Sequence, residues 1–308
     1  INSMPSAVAQ GLIWGIMAIG VYLTYRILDV ADLTVDGSLG TGGAVCVVMV
    51  LNGVPVGLAL LAATAAGMLA GLVTGLFHTA CGIPAILAGI LTQLALYSVN
   101  LRIMGFGTGG GKANLPISVD KYSLLVSARY VRNVALNNPI LILAIFCAVL
   151  IAVLYWFFGT ELGCSLRATG ANQNMARAQG INTNVAKVLG LMISNGLVAL
   201  AGGLLAQYQG FSDINMGRGA IVIGLAAVII GEVIFSRIFR NFALKLLSAV
   251  IGAIIYYIVM VFVLRLGLST DDLKLLTALV VALFLTIPYW KGKYFTKTSV
   301  KKGEKNHA

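Results

Sequence analysis

The sequence predicts an all-α protein, a polytopic transmembrane helical bundle of eight full spans plus one discontinuous or re-entrant segment. Three observations predict it. Hydrophobic residues make up 59% of the 308 and charged ones 10%, with a mean hydropathy of +0.95; a soluble domain carries about 25% charged residues. A chain of this length folded in water has no interior able to hide so much apolar surface. The apolar residues also fall in long charge-free runs, and a helix needs about 20 such residues to cross the hydrocarbon layer.

Taken in order, the charge-free runs are Ala7–Tyr25, Val54–Phe77, Ile83–Leu101, Ile140–Phe158, Val188–Ala206 and Leu246–Leu264. Gly219–Ser236 carries one acid, Glu232, and Leu275–Trp290 is shorter. Gly37–Val54 is the ninth candidate. Gly37, Gly40, Gly42 and Gly43 crowd its first half, which suits a broken or re-entrant segment better than a clean span. Eight crossings place both termini in the cytoplasm; nine full crossings, the alternative, place the N-terminus outside. Residues 1–290 form one membrane domain and 291–308 a basic cytoplasmic tail. The first run has no basic flank and no small-residue cleavage site, so it reads as a span.

The net charge is +11, but its distribution argues against nucleic acid. Six of the 21 basic residues follow Trp290. Basic segments beside spans mark the cytoplasmic side, and such a tail also sits well on anionic membrane lipid. With the tail inside, 161–187 and 236–245 are inside too. Together these three segments hold twelve Lys and Arg, against eight in 102–138, 208–218 and 265–274. Cys46, Cys81, Cys147 and Cys164 show no pairing or metal-ligand spacing and read as buried free thiols.

Catalytic patterns are missing from the sequence. Gly105, Gly107 and Gly110 satisfy G-x-G-x-x-G, but the run follows an apolar span and leads into Leu115–Pro116. Gly111–Lys112 lacks the upstream Gly and the following Ser or Thr of a phosphate loop. His78 and His307 are the only histidines, and there is no H-E-x-x-H or G-x-S-x-G. The chain is therefore expected to be no enzyme and to bind no nucleotide, cofactor or metal of its own. The glycines four apart, Gly11 and Gly15, then Gly67, Gly71 and Gly75, mark helix faces that approach closely in lipid.

Two polar regions hold the candidate sites. In the first, Arg26, Asp29, Asp32 and Asp36 lie between apolar stretches. They form either a solvated connection or a discontinuous helix lining a pathway. Gln93, Tyr97 and Asn100 share one helical face and either line the same path or bond to neighbours. Glu232 and Asn195 carry the same two readings. The candidate pathway is Tyr22, Asp32, Thr34, Asp36, Ser38, Gln93, Tyr97 and Asn100; being mainly uncharged and polar, it suits a small neutral solute.

The second region is RATGANQNMARAQGINTN, 167–184, a polar stretch between two apolar runs. Asn172 caps a short helix over Asn174–Gln179 and Gly180 ends it. A two-turn helix on the inner face is either a plug for a partner's groove or an ordinary amphipathic loop. Resemblance decides between them. RATGANQNMARAQGIN, followed by VLGLMISNGLVALAGGLLAQ and GRGAIVIGLAAVIIGE, resembles importer permeases of the ATP-binding-cassette class, of the branched-chain amino acid and ribose type. ADLTVDGS and GILTQLALYSVNLRIMG resemble the narrower tryptophan/tyrosine-type subgroup. The likeness runs from Gly11 to Trp290, with one departure, GSLGTGGAV in place of a Phe-Pro-Leu-Gly run.

The resemblance implies that Gly170, Asn172, Met175, Ala176, Arg177, Gly180 and Ile181 belong to a coupling helix docking on an ATPase. It implies a second copy of this chain, two cytoplasmic ATP-binding-cassette ATPase subunits that carry ATP and Mg, and an extracytoplasmic solute-binding protein. It also implies the plasma membrane of a bacterium and an aromatic amino acid as solute. A rival class, the ion-gradient-driven secondary transporter, calls for internal inverted repeats, and none is detectable in the sequence.

Overall fold

The structure, a computed structural model, describes residues 4–106, 110–118, 121–131, 138–235, 241–265 and 273–295. Helix α1, Met4–Tyr22, is built from apolar and small residues and winds into a π turn, Leu23–Leu28. Asp29, in the left-handed region at φ 54°, stops that turn. After the non-helical stretch Asp29–Thr34 comes α2, Val35–Leu51. Pro55 and Pro84 stand at the starts of α3, Val56–Thr79, and α4, Ala85–Met104. There the missing amide is no loss, because a first-turn N–H has no helical acceptor. A short β1, Asn114–Pro116, pairs antiparallel with β2, Phe211–Asp213. Asn138 caps α5, Pro139–Gly159. The remaining helices are α6 (Glu161–Ala171), α7 (Gln173–Ala178), α8 (Thr183–Gln209), α9 (Ala220–Phe235), α10 (Phe242–Arg265) and α11 (Leu273–Phe295).

Six of these are long and apolar enough to cross a membrane: α1 with its π turn, α3, α4, α5, α8 and α10. Helices α2 and α9 and the stretch Thr277–Thr286 of α11 are apolar but shorter. The expected break in Gly37–Val54 is not there: α2 runs unbroken through all four glycines. The interruption falls earlier, at Asp29–Thr34. The glycines serve close packing instead, since a Cβ at Gly42 would overlap the backbone of Ala199 on α8. Helix α11 continues to Phe295, past the expected boundary at Trp290, and residues 296–308 of the tail lie outside the described residues.

Contacts set the helix directions. Ser6 and Tyr208 share a 3.0 Å hydrogen bond, and Ser194 donates to the Gly20 carbonyl at 2.7 Å, so α1 and α8 are antiparallel. Helix α8 starts beside α7 and ends beside the hairpin β1–β2. The N-terminal end of α1 therefore lies on the hairpin face, opposite α7. Helix α10 runs antiparallel to α1, with Gly11 against Ile254 and Gly15 against Val250. Helix α11 starts from the hairpin face, where α10 ends, and leads back. The two ends of the described chain thus lie on opposite faces. Where the eight-crossing expectation has a re-entrant segment, the stretch Asp29–Thr34 and α2 together carry the chain from the α7 side back toward the hairpin, α2 running along the second half of α8 from Asn195 to Gln207.

The packing also contains an inverted repeat that the sequence hides. Helix α1 packs on α9 and α10 as α8 packs on α2 and α3, and α2 meets α3 and α4 as α9 meets α10 and α11. The set α1–α4 thus corresponds to α8–α11 with the directions reversed. The central pair is the most enclosed: 83% of the α1 window is buried and 72% of α8, against 22% of α5. Gly67, Gly71 and Gly75 of α3 lie against Asn195, Leu191 and Val188 of α8, leaving no room for a Cβ at the first two. Small residues draw helices together by dispersion where lipid supplies no hydrophobic drive.

Candidate functional site

The polar stretch 167–184 folds into a corner. Asn172 accepts hydrogen bonds from the amides of Asn174 and Met175 at 3.0 and 3.1 Å, capping α7. Gly180, at φ 81°, lets the chain turn, and the Ile181 amide closes on the Ala176 carbonyl at 3.0 Å. Asn182 then caps α8 through Asn184 and Val185. Arg177 Nε donates to Thr183 Oγ1 at 2.9 Å, bracing α7 on the start of α8. Gly170, near the end of α6, rides on the Ile27 carbonyl in the π turn, where a Cβ would collide. The corner is thereby held against α1.

A polar network is buried where α2, α3, α4 and α8 meet. Asp32 Oδ1 accepts from the Thr34 amide at 2.9 Å, and Oδ2 accepts from Asn195 Nδ2 at 2.7 Å. Ser38 Oγ donates to Asn195 Oδ1 at 2.6 Å. Thr34, Thr74 and Thr92 hydroxyls form a chain at 2.7 and 2.9 Å. Buried polar groups are tolerated when every atom is paired, and this set meets that condition.

On the hairpin side of the network lies a cavity of about 390 Å³ lined by Asp36, Gln93, Tyr97, Asn100, Ile214 and Arg218, among others. Both Asp36 oxygens accept backbone amides, from Gly219 and Ile221, each at 2.9 Å. The carboxylate thus sits at the N-terminus of α9, where the helix dipole favours negative charge. Arg218 stands over the Tyr97 ring at 5.9 Å. Asn100 is 2% exposed, and its Oδ1 has no hydrogen-bond partner among the described residues. A cation, an anion, an aromatic face and an unsatisfied acceptor thus border one hollow.

A family model described as the branched-chain amino acid transport system / permease component matches residues 3–287. The chain belongs to this family. It is a permease of the ATP-binding-cassette importers, a membrane protein of the branched-chain amino acid and ribose type. It is 41% identical over 286 residues to the tyrosine transport system permease protein of Clostridioides difficile, covering 92% of this chain and 90% of that one. It is 27% identical over 231 residues to the ribose import permease protein of Escherichia coli, covering 75% and 69%. Among solved structures, PsaBC from Streptococcus pneumoniae in complex with Fab has the same fold, with a TM-score of 0.51, 16% identity and coverage of 96% and 93%.

Within the permease, Asp36, Gln93, Tyr97 and Asn100 meet at the cavity. The other four pathway candidates do not. Asp32, Thr34 and Ser38 are enclosed in the network, and Tyr22 is core at 6% exposure. Ala176, read as a docking residue, is fully buried in its own chain. Met175 instead stands outward, 48% exposed. Of its two readings, Glu232 takes that of interhelical glue: it binds Arg26, joining α9 to the π turn of α1, and does not line the cavity. Cys46 and Cys147 are buried, whereas Cys81 and Cys164 are exposed rather than buried as expected. Arg218 was missed: its signal was a lone cation flanked by Gly217 and Gly219 before an apolar run.

Proposed function

We propose that this permease is the transmembrane subunit of an ATP-driven, binding-protein-dependent importer for a small zwitterion, with aromatic amino acids first among the candidate solutes. The observation that carries the solute reading is the cavity, where Arg218, Asp36 and Tyr97 line one hollow. Arg218 suits a carboxylate. Asp36, with the Gln93 amide and the free Asn100 oxygen, suits an ammonium group, and Tyr97 suits a ring. The likeness to the tyrosine transport permease supports the same class.

Two copies of the permease enclose the path in the bacterial plasma membrane. The N-terminal end of α1 and the hairpin face outward; α7 and the basic tail face the cytoplasm. Two ATPase subunits, carrying ATP and Mg, receive α7 in their grooves. Their closure pushes through the α6–α7–α8 corner into the π turn of α1. An extracytoplasmic binding protein releases solute at the hairpin face. The inverted repeat supplies two mirrored halves that rock about α1 and α8, which is what alternating access requires. The permease acts as path and lever, and hydrolysis stays on its partner.

The test is calorimetric titration of the cognate binding protein with tryptophan, tyrosine, leucine, ribose and a nucleoside. The full complex in liposomes is then assayed for solute-stimulated ATP hydrolysis. An aromatic amino acid is expected to bind and stimulate. A sugar that does both while neither aromatic binds would overturn the solute and leave the importer standing.

A further inference from the structure

We propose that the hollow between α5, α6 and α10 binds the anionic phosphate headgroup of a membrane phospholipid whose acyl chains lie along α5. The hollow has a volume of about 600 Å³, and Tyr155, Trp156, Arg167, Asn241 and Phe242 are among its lining residues. Arg167 has its guanidinium 5.8 Å from the Phe242 ring and 3.6 Å from the Cys164 sulfur, with no carboxylate in ion-pair reach among the described residues. An arginine held by a ring and a thiol keeps donors free for a phosphate, and the guanidinium fork matches that group.

Two further features favour an anion. Thr160, which caps α6, and Asn241 and Phe242, where α10 begins, all line the hollow, so two helix N-termini add positive potential beside Arg167. Above it, Leu141, Ile145, Val149 and Val153 are exposed at four-residue intervals, forming one outward stripe down α5. The stripe ends at Tyr155 and Trp156, 56% and 72% exposed. Apolar side chains giving way to Tyr and Trp mark the depth where tails give way to headgroups. A free phosphate uses only Arg167 and the helix ends; a phospholipid uses the stripe as well. The hollow opens on the α7 face, so it takes a lipid of the inner leaflet. The choice of leaflet alone rests on the topology proposed above.

The test uses the purified full-length permease in detergent and counts retained lipid by native mass spectrometry. Phosphatidylglycerol or phosphatidylcholine is added in turn, without any ATPase. Retention of one phosphatidylglycerol per chain in preference to phosphatidylcholine is expected. Arg167→Gln should weaken it about tenfold, the scale of losing one charge-assisted hydrogen bond, with partial recovery in Arg167→Lys. Trp156→Ala should weaken both lipids. Equal retention of the two lipids, or unchanged preference in Arg167→Gln, overturns the proposal. Displacement of phosphatidylglycerol by millimolar inorganic phosphate assigns the hollow to free phosphate and overturns it too. So does copy-to-copy crosslinking through a cysteine at Val149, which gives the stripe to a second permease. Lipid counting needs no transport, so either result leaves the importer reading to its own liposome assay.

Discussion

Arg26 and Glu232, 206 positions apart, meet through two bonds, Nε to Oε1 at 2.7 Å and Nη2 to Oε2 at 2.5 Å. The pair ties the π turn that ends α1 to the last turns of α9, one in each half of the inverted repeat. A π turn offsets the helix register by one residue, and Arg26 is one of the residues it carries.

Exposure of 52% and 27% at the two side chains lets solvent screen the pair, so its stability contribution should stay within about 1 kcal/mol. Its use is positional. Arg26→Gln and Glu232→Gln should each lower solute-stimulated ATP hydrolysis several-fold while thermal unfolding of the permease moves little. The exchange Arg26→Glu with Glu232→Arg should recover part of the loss. A double variant as poor as the worse single would show that the pairing does not matter.

Asp32→Asn should destabilise sharply. Each Asp32 oxygen faces a donor, the Thr34 amide and Asn195 Nδ2, so an amide there must set N–H against N–H. One orphaned buried donor costs about 1–3 kcal/mol. A lower unfolding midpoint in detergent is expected. A midpoint equal to wild type would mean that the network is wet or rearranges freely.

Gly170→Ala should separate the corner from α1. Its Cβ would overlap the Ile27 carbonyl, and overpacking of this kind costs about 1–3 kcal/mol. Basal ATP hydrolysis by the assembled complex should persist while its stimulation by solute falls. Normal stimulation in this variant would remove the α6–α1 contact from the transmission path.

For docking, cysteines along α7 in a background without the native four give a pattern rather than a single result. Crosslinking to the ATPase should peak at Met175, which points outward, and vanish at Ala176, which is fully buried. Ala176→Trp should then fail through misfolding of the corner, seen as a lower unfolding midpoint of the permease alone. Equal crosslinking at both positions would contradict the inward turn of residue 176.

Sidedness has its own test. An impermeant thiol reagent should label cysteines at Met4 and Asn215 in intact cells, and one at Met175 only after the cells are opened. Labelling of Met4 solely in opened cells would return the N-terminus to the cytoplasm.

The class of protein was legible in the sequence because apolar composition and run length are sums over local residues. The cap at Asn172, the glycine at 180 and the helix between them were legible for the same reason: caps and turns act within four residues. Gln93, Tyr97 and Asn100 shared a face by helical period alone. What Asp32, Thr34 and Ser38 do could not be read locally, since their partners stand on α3, α4 and α8, and the same polar residues line a path or seal a network according to what packs opposite. Ala176 is buried while its neighbour Met175 is exposed, a choice of face that a six-residue polar helix does not show in its own sequence. Gly37 to Gly43 suggest a broken helix by propensity, yet Ala199 and its neighbours hold that stretch helical, because close packing outweighs the conformational cost of glycine. The inverted repeat is likewise a property of contacts. Its two halves share the pattern of neighbours with the directions reversed, which backbone packing preserves, but no residue pattern, because side chains can differ wherever only a small residue and a tight approach are required.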